Sequence, residues 1–222
     1  MSVPNIVIYG ASGQGWALET MLQDVYKVAR IIAYIDDIDG DKGLEMAGKP
    51  LITRDSWLKI DPLPDVFISV GNAAHRRMMA DKIAAAGGRL LDIRHIYPSL
   101  FPHIEVGVGT IVASPCYVGP GTIIGNNIQL MPMCSIGHDV TIHDHCNICP
   151  SATISGYVVI EEEVYVGGGA TITNGRRGRP LVIGKGATIA VGAVVTKSVA
   201  PGATVMGNPA VSPRELARSR RR

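Results

Sequence analysis

From Val106 to Ile172 an aliphatic residue recurs at every sixth position: Val106, Val112, Val118, Ile124, Leu130, Ile136, Ile142, Ile148, Ile154, Ile160, Val166 and Ile172. Five extra residues then break the phase, which resumes at Ile183, Ile189 and Val195. A period of six belongs neither to an α-helix nor to an alternating strand. It is the spacing of a parallel β-helix, where each short strand forms one wall and each turn a corner. Three hexads close one triangular coil, so the repeats predict five coils. Glycine often follows the aliphatic position, at Gly107, Gly119, Gly125, Gly137, Gly167 and Gly184, as tight corners would favour. Two residues before it stand small or medium side chains, among them Thr110, Cys116, Thr122, Cys134, Cys146 and Ala152.

Residues 1–100 contain no hexads. The apolar run Asn5–Tyr9 ends in Gly10-Ala11-Ser12-Gly13-Gln14-Gly15, which opens a helix expected to reach about Ala29. A second buried strand is expected over 31–35, closing on Asp36 and Asp37, and a third over 66–70, closing on Gly71-Asn72 before a helix to about Ala86. Strands alternating with helices predict a Rossmann-like parallel α/β sheet. The polar, glycine-rich stretch 38–50 reads as a mobile loop. Pro98 and Pro102 mark the passage from an α/β domain over 1–100 to a β-helix domain over 101–222.

A hydrophobic share of 46% with only 5% aromatic residues suits a solenoid core of small and β-branched side chains. No run approaches the roughly 18 apolar residues of a membrane span, and no signal-peptide pattern opens the chain, so a cytoplasmic protein without membrane insertion is expected. Cys116, Cys134 and Cys146 share the small inward position and read as reduced core residues, with Cys149 at a corner. The formal charge is +2, but residues 212–222 carry a net +4, through Arg214, Arg218, Arg220, Arg221 and Arg222 against Glu215. Such a tail can meet nucleic acid, acidic lipid or phosphate. Here it reads as a solvated, disordered end, and no nucleic-acid partner is expected.

A glycine-rich turn between strand and helix presents backbone N–H groups to an anion at a helix N-terminus. The turn departs from the dinucleotide fingerprint because Ser12 stands where the second glycine belongs, which argues against NAD and leaves open a smaller phosphate ligand with Ser12 as an extra donor. Asp36 and Asp37 end the second strand where nucleotide-binding folds place a carboxylate for ribose or base. Gly71 and Asn72 end the third, with Arg76 one helical turn on. Together Gly10, Ser12, Gly13, Gln14, Asp36, Asp37, Gly71, Asn72 and Arg76 outline one ligand crevice.

The order Ile-Tyr-Gly-Ala-Ser-Gly-Gln-Gly, Ile-Asp-Asp, Val-Gly-Asn, hexads containing Gly-His-Asp, and Gly-Asn-Pro-Ala near the end resembles the bacterial sugar O/N-acyltransferases. Within that hexapeptide-repeat, sialic acid O-acetyltransferase-like family, the chain is most similar to nucleotide-sugar N-acetyltransferases such as the bacillosamine-pathway enzyme. The resemblance implies a left-handed β-helix, a homotrimer with active sites between subunits, and acetyl-CoA as co-substrate. It also implies a UDP-, GDP- or dTDP-linked 4-amino-4,6-dideoxy sugar on the N-terminal domain; the receiving glycan stays open, with O-antigen or capsule polysaccharide favoured over protein glycosylation on abundance alone. His138 would be the general base, Asp139 the carboxylate that raises its basicity, and the Gly156 N–H an oxyanion donor. Asn147, Gly168, Val191 and Gly192 match acetyl-CoA positions. Three positions depart from the family: Asn147 stands where relatives carry a second His, Gln14 where they carry a His, and Val211 where many have Arg or Lys. The insertion 173–180, with Arg176, Arg177 and Arg179, either clamps coenzyme phosphates or is a solvated loop.

The chemistry agrees with these roles. An amine attacking a thioester must lose a proton, and imidazole titrates in the right range. No cysteine or serine is paired with His138, so direct attack in a ternary complex is expected rather than an acyl-enzyme. Three alternatives use the same residues. O-acetylation of a sialic-acid-type sugar needs only a different acceptor, and a nucleotide-sugar-binding scaffold needs no base. A zinc enzyme like the γ-carbonic anhydrases would use His138-x4-His143, but catalytic zinc wants three protein ligands. The only upstream candidate near the solenoid is His103, which lies before the clean repeats start, so no metal is expected.

Overall fold

The computed structural model describes residues 5–25, 30–94 and 103–219. The chain divides into two units, Met1–Ile93 and Arg94–Arg222. The elements of the first are β1 (Asn5–Tyr9), α1 (Gly13–Val25), β2 (Arg30–Ile35), β3 (Glu45–Met46), β4 (Lys49–Ile52), α2 (Arg54–Trp57), β5 (Asp65–Ile68) and α3 (Ala73–Ala85). Their strand order is β3-β4-β2-β1-β5. All pairs are parallel except β3 with β4. The three apolar runs became strands because each buries a near-continuous hydrophobic segment, as parallel strands covered on both faces require.

The stretch 38–50 is not the loop expected. Ala47 and Gly48 both adopt positive φ (50° and 69°), the conformation of a two-residue hairpin turn, and β4 then adds to the sheet beside β2. Four half-exposed residues carry too little alternation to announce such a strand. The following short helix buries Trp57, whose Nε1–H donates to Pro64 O at 3.1 Å. The end of the first expected helix (26–29) and Pro98 and Pro102 lie outside the described residues.

The second unit is a left-handed parallel β-helix whose three walls are parallel sheets of short strands. Residues stack on partners 18 positions on, such as Ser135 on Thr153. Across the insertion the step is 23, Tyr165 on Thr188. The recurring aliphatics fill the interior.

The corner glycines serve a different purpose from the one expected. Positive φ falls two residues later, at Asn127, Met133, Asp139, His145, Ser151, Tyr157 and Glu163. At Gly119 and Gly137 the constraint is stacking: a Cβ would lie 2.7 Å from Gly137 C and 2.6 Å from Gly156 N of the next coil. The small inward positions also carry donors. Thr110 and Thr122 hydroxyls donate to Gly125 O and Gly137 O, both at 2.8 Å. The Cys116, Cys134 and Cys146 thiols donate to the carbonyls of Met131, Cys149 and Glu161 at 3.1, 3.2 and 3.0 Å. One spacing of fifteen residues thus satisfies every one of these donors, and all four cysteines are free.

The basic tail is ordered further than expected. α4 (Pro213–Ser219) begins in a capping box: Glu215 N–H donates to Ser212 Oγ at 3.3 Å, and Ser212 N–H donates to Glu215 Oε2 at 2.9 Å. Arg220, Arg221 and Arg222 lie outside the described residues.

Candidate functional site

The first site forms at the carboxyl ends of β1, β2 and β5, the edge where open parallel sheets bind ligands. Gly10 turns the chain with φ 118°, and a Cβ on Gly15 would lie 2.4 Å from Gly10 O, so α1 can pack this closely only on glycine. These are the turn and close-packing roles of the first and third fingerprint glycines, while Ser12 fills the space between. A cavity of about 530 Å³ opens here, lined by Gly10, Ser12, Gln14, Asp36, Asp37 and Gly71 of the expected set.

The other three expected residues have different duties. Gly13 begins α1 with nothing near its Cβ position. Asn72 caps α3, its Oδ1 accepting from His75 N–H at 2.9 Å. Arg76 is a correction, since it is buried and its Nη1 donates to Val70 O (2.9 Å) and Gly71 O (3.1 Å). It braces the turn that forms the crevice wall from behind. Asp36 Oδ1 accepts from Ile38 and Asp39 N–H at 2.9 and 3.0 Å, and Asp37 accepts from the Tyr9 hydroxyl and from Arg54 N–H. Burial, followed by the bond to Asp37, pushes the Tyr9 phenol above its ordinary range.

Sequence reading missed one face of α3. His75, Met78, Met79 and Lys82 line the same cavity. Their spacing of three, one and three residues is that of neighbours on a helix surface, a signal present in the chain. Ile38, 80% exposed, adds an apolar rim beside the two aspartates.

The second site lies on one edge of the solenoid. His138 Nδ1 stands 2.7 Å from Asp139 Oδ2. A carboxylate only accepts, so Nδ1–H donates, and in the neutral ring Nε2 then carries the lone pair. Asp139 sits at φ 53°, and a Cβ on Gly121, one coil before, would be 3.0 Å from its Oδ1. On the other side, the imidazole covers Gly156, where a Cβ would be 2.7 Å from Nε2. Prolines 120, 132 and 150 share the corner position of His138 and Gly156, because the coil ladder leaves the N–H there unused. Gly156 N–H accordingly has no partner among the described residues. A lone pair, a fixed tautomer and an unused donor meet on this edge, an arrangement able to take a proton beside a developing oxyanion.

Gly168, Val191 and Gly192 stack together on a different edge, Gly192 N–H donating to Gly168 O at 3.0 Å. Asn147 is not with them; it is 7% exposed in a wall strand, between Gln129 and Tyr165. Among the described residues no three His, Cys, Asp or Glu side chains converge as a metal site, and His143 lies instead in a small cavity with Glu161, Glu162 and Lys185. Among them, too, no helix is long and apolar enough to cross a membrane.

A glycine-turn α/β unit followed by a hexapeptide solenoid bearing a His-Asp pair defines a class, the hexapeptide-repeat acyltransferases with an added binding domain. Residues 5–83 match the PglD N-terminal domain family, and residues 121–156 match the bacterial transferase hexapeptide (six repeats) family. The GDP-perosamine N-acetyltransferase of Escherichia coli O157:H7 is 35% identical over 189 residues, covering 85% of this chain and 83% of that protein. The acetyltransferase domain of PglB from Neisseria gonorrhoeae FA1090, solved in complex with acetyl coenzyme A, superposes with a TM-score of 0.82 at 25% identity, over 95% of this chain and all of that one. WeeI from Acinetobacter baumannii AYE gives 0.75 at 28% identity, again over 95% of this chain and all of the other. The chain belongs to the hexapeptide-repeat sugar O/N-acyltransferase family, on its nucleotide-sugar N-acetyltransferase branch.

Proposed function

We propose that the protein transfers the acetyl group of acetyl-CoA to the amino group of a nucleotide-linked 4-amino-4,6-dideoxy sugar. The observation that carries this reading is the 2.7 Å His138–Asp139 contact, with the imidazole seated on Gly156. The sugar amine attacks the thioester carbonyl carbon while His138 Nε2 takes its proton. The oxyanion of the tetrahedral intermediate accepts from Gly156 N–H. Collapse breaks the C–S bond, and the imidazolium returns its proton to the departing coenzyme thiolate. Asp139 holds the ring and offsets its positive charge.

The crevice of the first unit holds the nucleotide: Ser12 and the α1 N-terminus meet phosphate, Asp36 and Asp37 the ribose or base, and Ile38 and Met78 the flat face of the base. His138 and the Gly168–Val191–Gly192 edge lie on different corners of one chain, which supports a homotrimer in which a neighbouring copy brings the acyl donor to the base.

The test is thiol release from acetyl-CoA with GDP-, UDP- and dTDP-linked 4-amino-4,6-dideoxy sugars. The GDP carrier heads the series because the Escherichia coli relative is a GDP-perosamine N-acetyltransferase. Turnover with one carrier, reduced about 10²- to 10⁴-fold by His138→Ala, is expected. No turnover with any amine, against turnover with a sialic-acid-type hydroxyl acceptor, would replace this reading by O-acetylation.

A further inference from the structure

We propose that the cationic hairpin over 174–180, with Lys197, binds the phosphate groups of the acyl donor. This rests on the acetyl-CoA reading above and assigns a ligand to a cavity that reading leaves unused. The hairpin leaves the solenoid on the His138 edge. Tyr157 N–H donates to His138 O at 3.2 Å. One coil on, Gly175 N–H donates to Gly156 O at 3.0 Å and Leu181 N–H to Tyr157 O at 3.1 Å. A Cβ on Gly175 would lie 2.0 Å from Tyr157 O, so glycine is needed where the excursion begins.

Beyond this root, Arg176 and Arg179 exchange both backbone hydrogen bonds, at 3.0 and 2.8 Å, around Gly178 with φ 73°. Residues directly opposite in such a pair project to the same face, where like charges repel. The chain nevertheless places two guanidinium groups there, and Arg176, Arg179 and Lys197 line one cavity of about 420 Å³ together with Asn174, Thr196 and Ser198. No acidic residue occurs in 173–181 or 194–199. Among the described residues, no ion pair engages any of these cations or Arg177. A multiply charged anion in the cavity relieves the repulsion, and guanidinium forks match phosphate oxygens two at a time.

Position selects the anion. Asn174 follows His138 by two coils and Lys197 by three. At about 4.8 Å per coil this is about 14 Å along the edge. With its thioester at His138, an extended pantetheine arm reaches that distance and delivers the diphosphate and 3′-phosphate to the hairpin. Gly168, Val191 and Gly192 occupy the same two turns of the solenoid on their own edge.

CoA binding, measured by calorimetry without any acceptor, compares the wild type with Arg176→Gln/Arg179→Gln and with Lys197→Gln, which leaves the hairpin intact. The expected result is a rise in the CoA Kd of about tenfold or more in each variant, with a weaker dependence on salt. S-acetylpantetheine, which carries no phosphate, should give the same kcat/KM with all three proteins. An unchanged CoA Kd overturns the assignment, as does an equal loss with S-acetylpantetheine, which would make the hairpin a shaper of the groove. Failure of the wild type to bind CoA at all would instead remove the acyl-donor reading itself.

Discussion

The imidazole of His138 meets the ring of Tyr157 edge-on, with centroids 5.0 Å apart and ring planes at 90°. Tyr157 holds this position from a left-handed backbone conformation (φ 55°), unusual for a bulky residue. Its main chain is clamped between His138 O and Leu181 N–H. An aromatic edge contact is worth about 0.5–1.5 kcal/mol, which as ring positioning corresponds to up to about tenfold in rate. Tyr157→Phe should therefore keep kcat within about twofold, whereas Tyr157→Gly, which suits the backbone but removes the ring, should lower kcat about tenfold with KM for acetyl-CoA unchanged. Equal kcat values for the Gly and Phe variants would show that the contact does not position the imidazole for the proposed reaction.

Asp139→Asn tests the carboxylate without disturbing the turn, since Asn tolerates positive φ. The amide can accept from Nδ1–H but cannot offset the imidazolium charge, so kcat should fall about 10²-fold with thermal stability retained. Steady-state rates together with a melting curve separate loss of chemistry from loss of fold.

Gly156→Ala places a methyl carbon 2.7 Å from Nε2 and 2.8 Å from Cε1. The atoms it meets belong to a half-exposed side chain that can swing away, so the fold should survive while the imidazole leaves its position. A Tm near wild type with kcat reduced by more than about tenfold is expected. Full activity would dissociate Gly156 from the reaction.

Arg76→Met removes the buried side-chain donor to the half-buried Val70 O and Gly71 O and leaves that turn unbraced. Stability measured by urea unfolding should drop by about 2–4 kcal/mol. A direct ligand contact would instead leave stability unchanged and weaken nucleotide binding alone.

Tyr9 and Tyr34 are both held protonated above their ordinary range, in each case by burial first and then by a hydrogen bond to a carboxylate, Asp37 and Glu19 respectively. A raised folded-state pKa contributes stability that is fully present below the unfolded tyrosine value of about 10. Above it the unfolded chain ionises first, unfolding releases protons, and stability falls with pH. Urea unfolding between pH 9 and pH 12 should show this decline, and Tyr9→Phe should make it shallower. Parallel slopes for the two proteins would contradict the assignment.

The solenoid was legible because each coil repeats one local demand: an inward aliphatic residue, a small residue two before it, and little or no side chain where coils stack. The central strands β1, β2 and β5 were legible for a related reason, since burial on both faces leaves an unbroken apolar run. β4 was not, because its four residues gain their place from pairing with β2 rather than from a pattern of their own. The extent of the tail helix was hidden in the same way, although Ser212 and Glu215 at capping-box spacing were there to be read.

Sequence by itself determined the two kinds of domain, the glycine turn, the two aspartates and the His138–Asp139 pair, all of which are set by neighbours a few residues apart. Tertiary structure alone decided that Arg76 turns inward, that His75, Met78, Met79 and Lys82 face the crevice, that Tyr157 and Gly156 flank the imidazole, and that the arginine hairpin stands on the same edge. The physical reason is the coil. Contacts along an edge join residues 18 apart, or 23 across the insertion, and which side chains meet depends on the length of every turn between them.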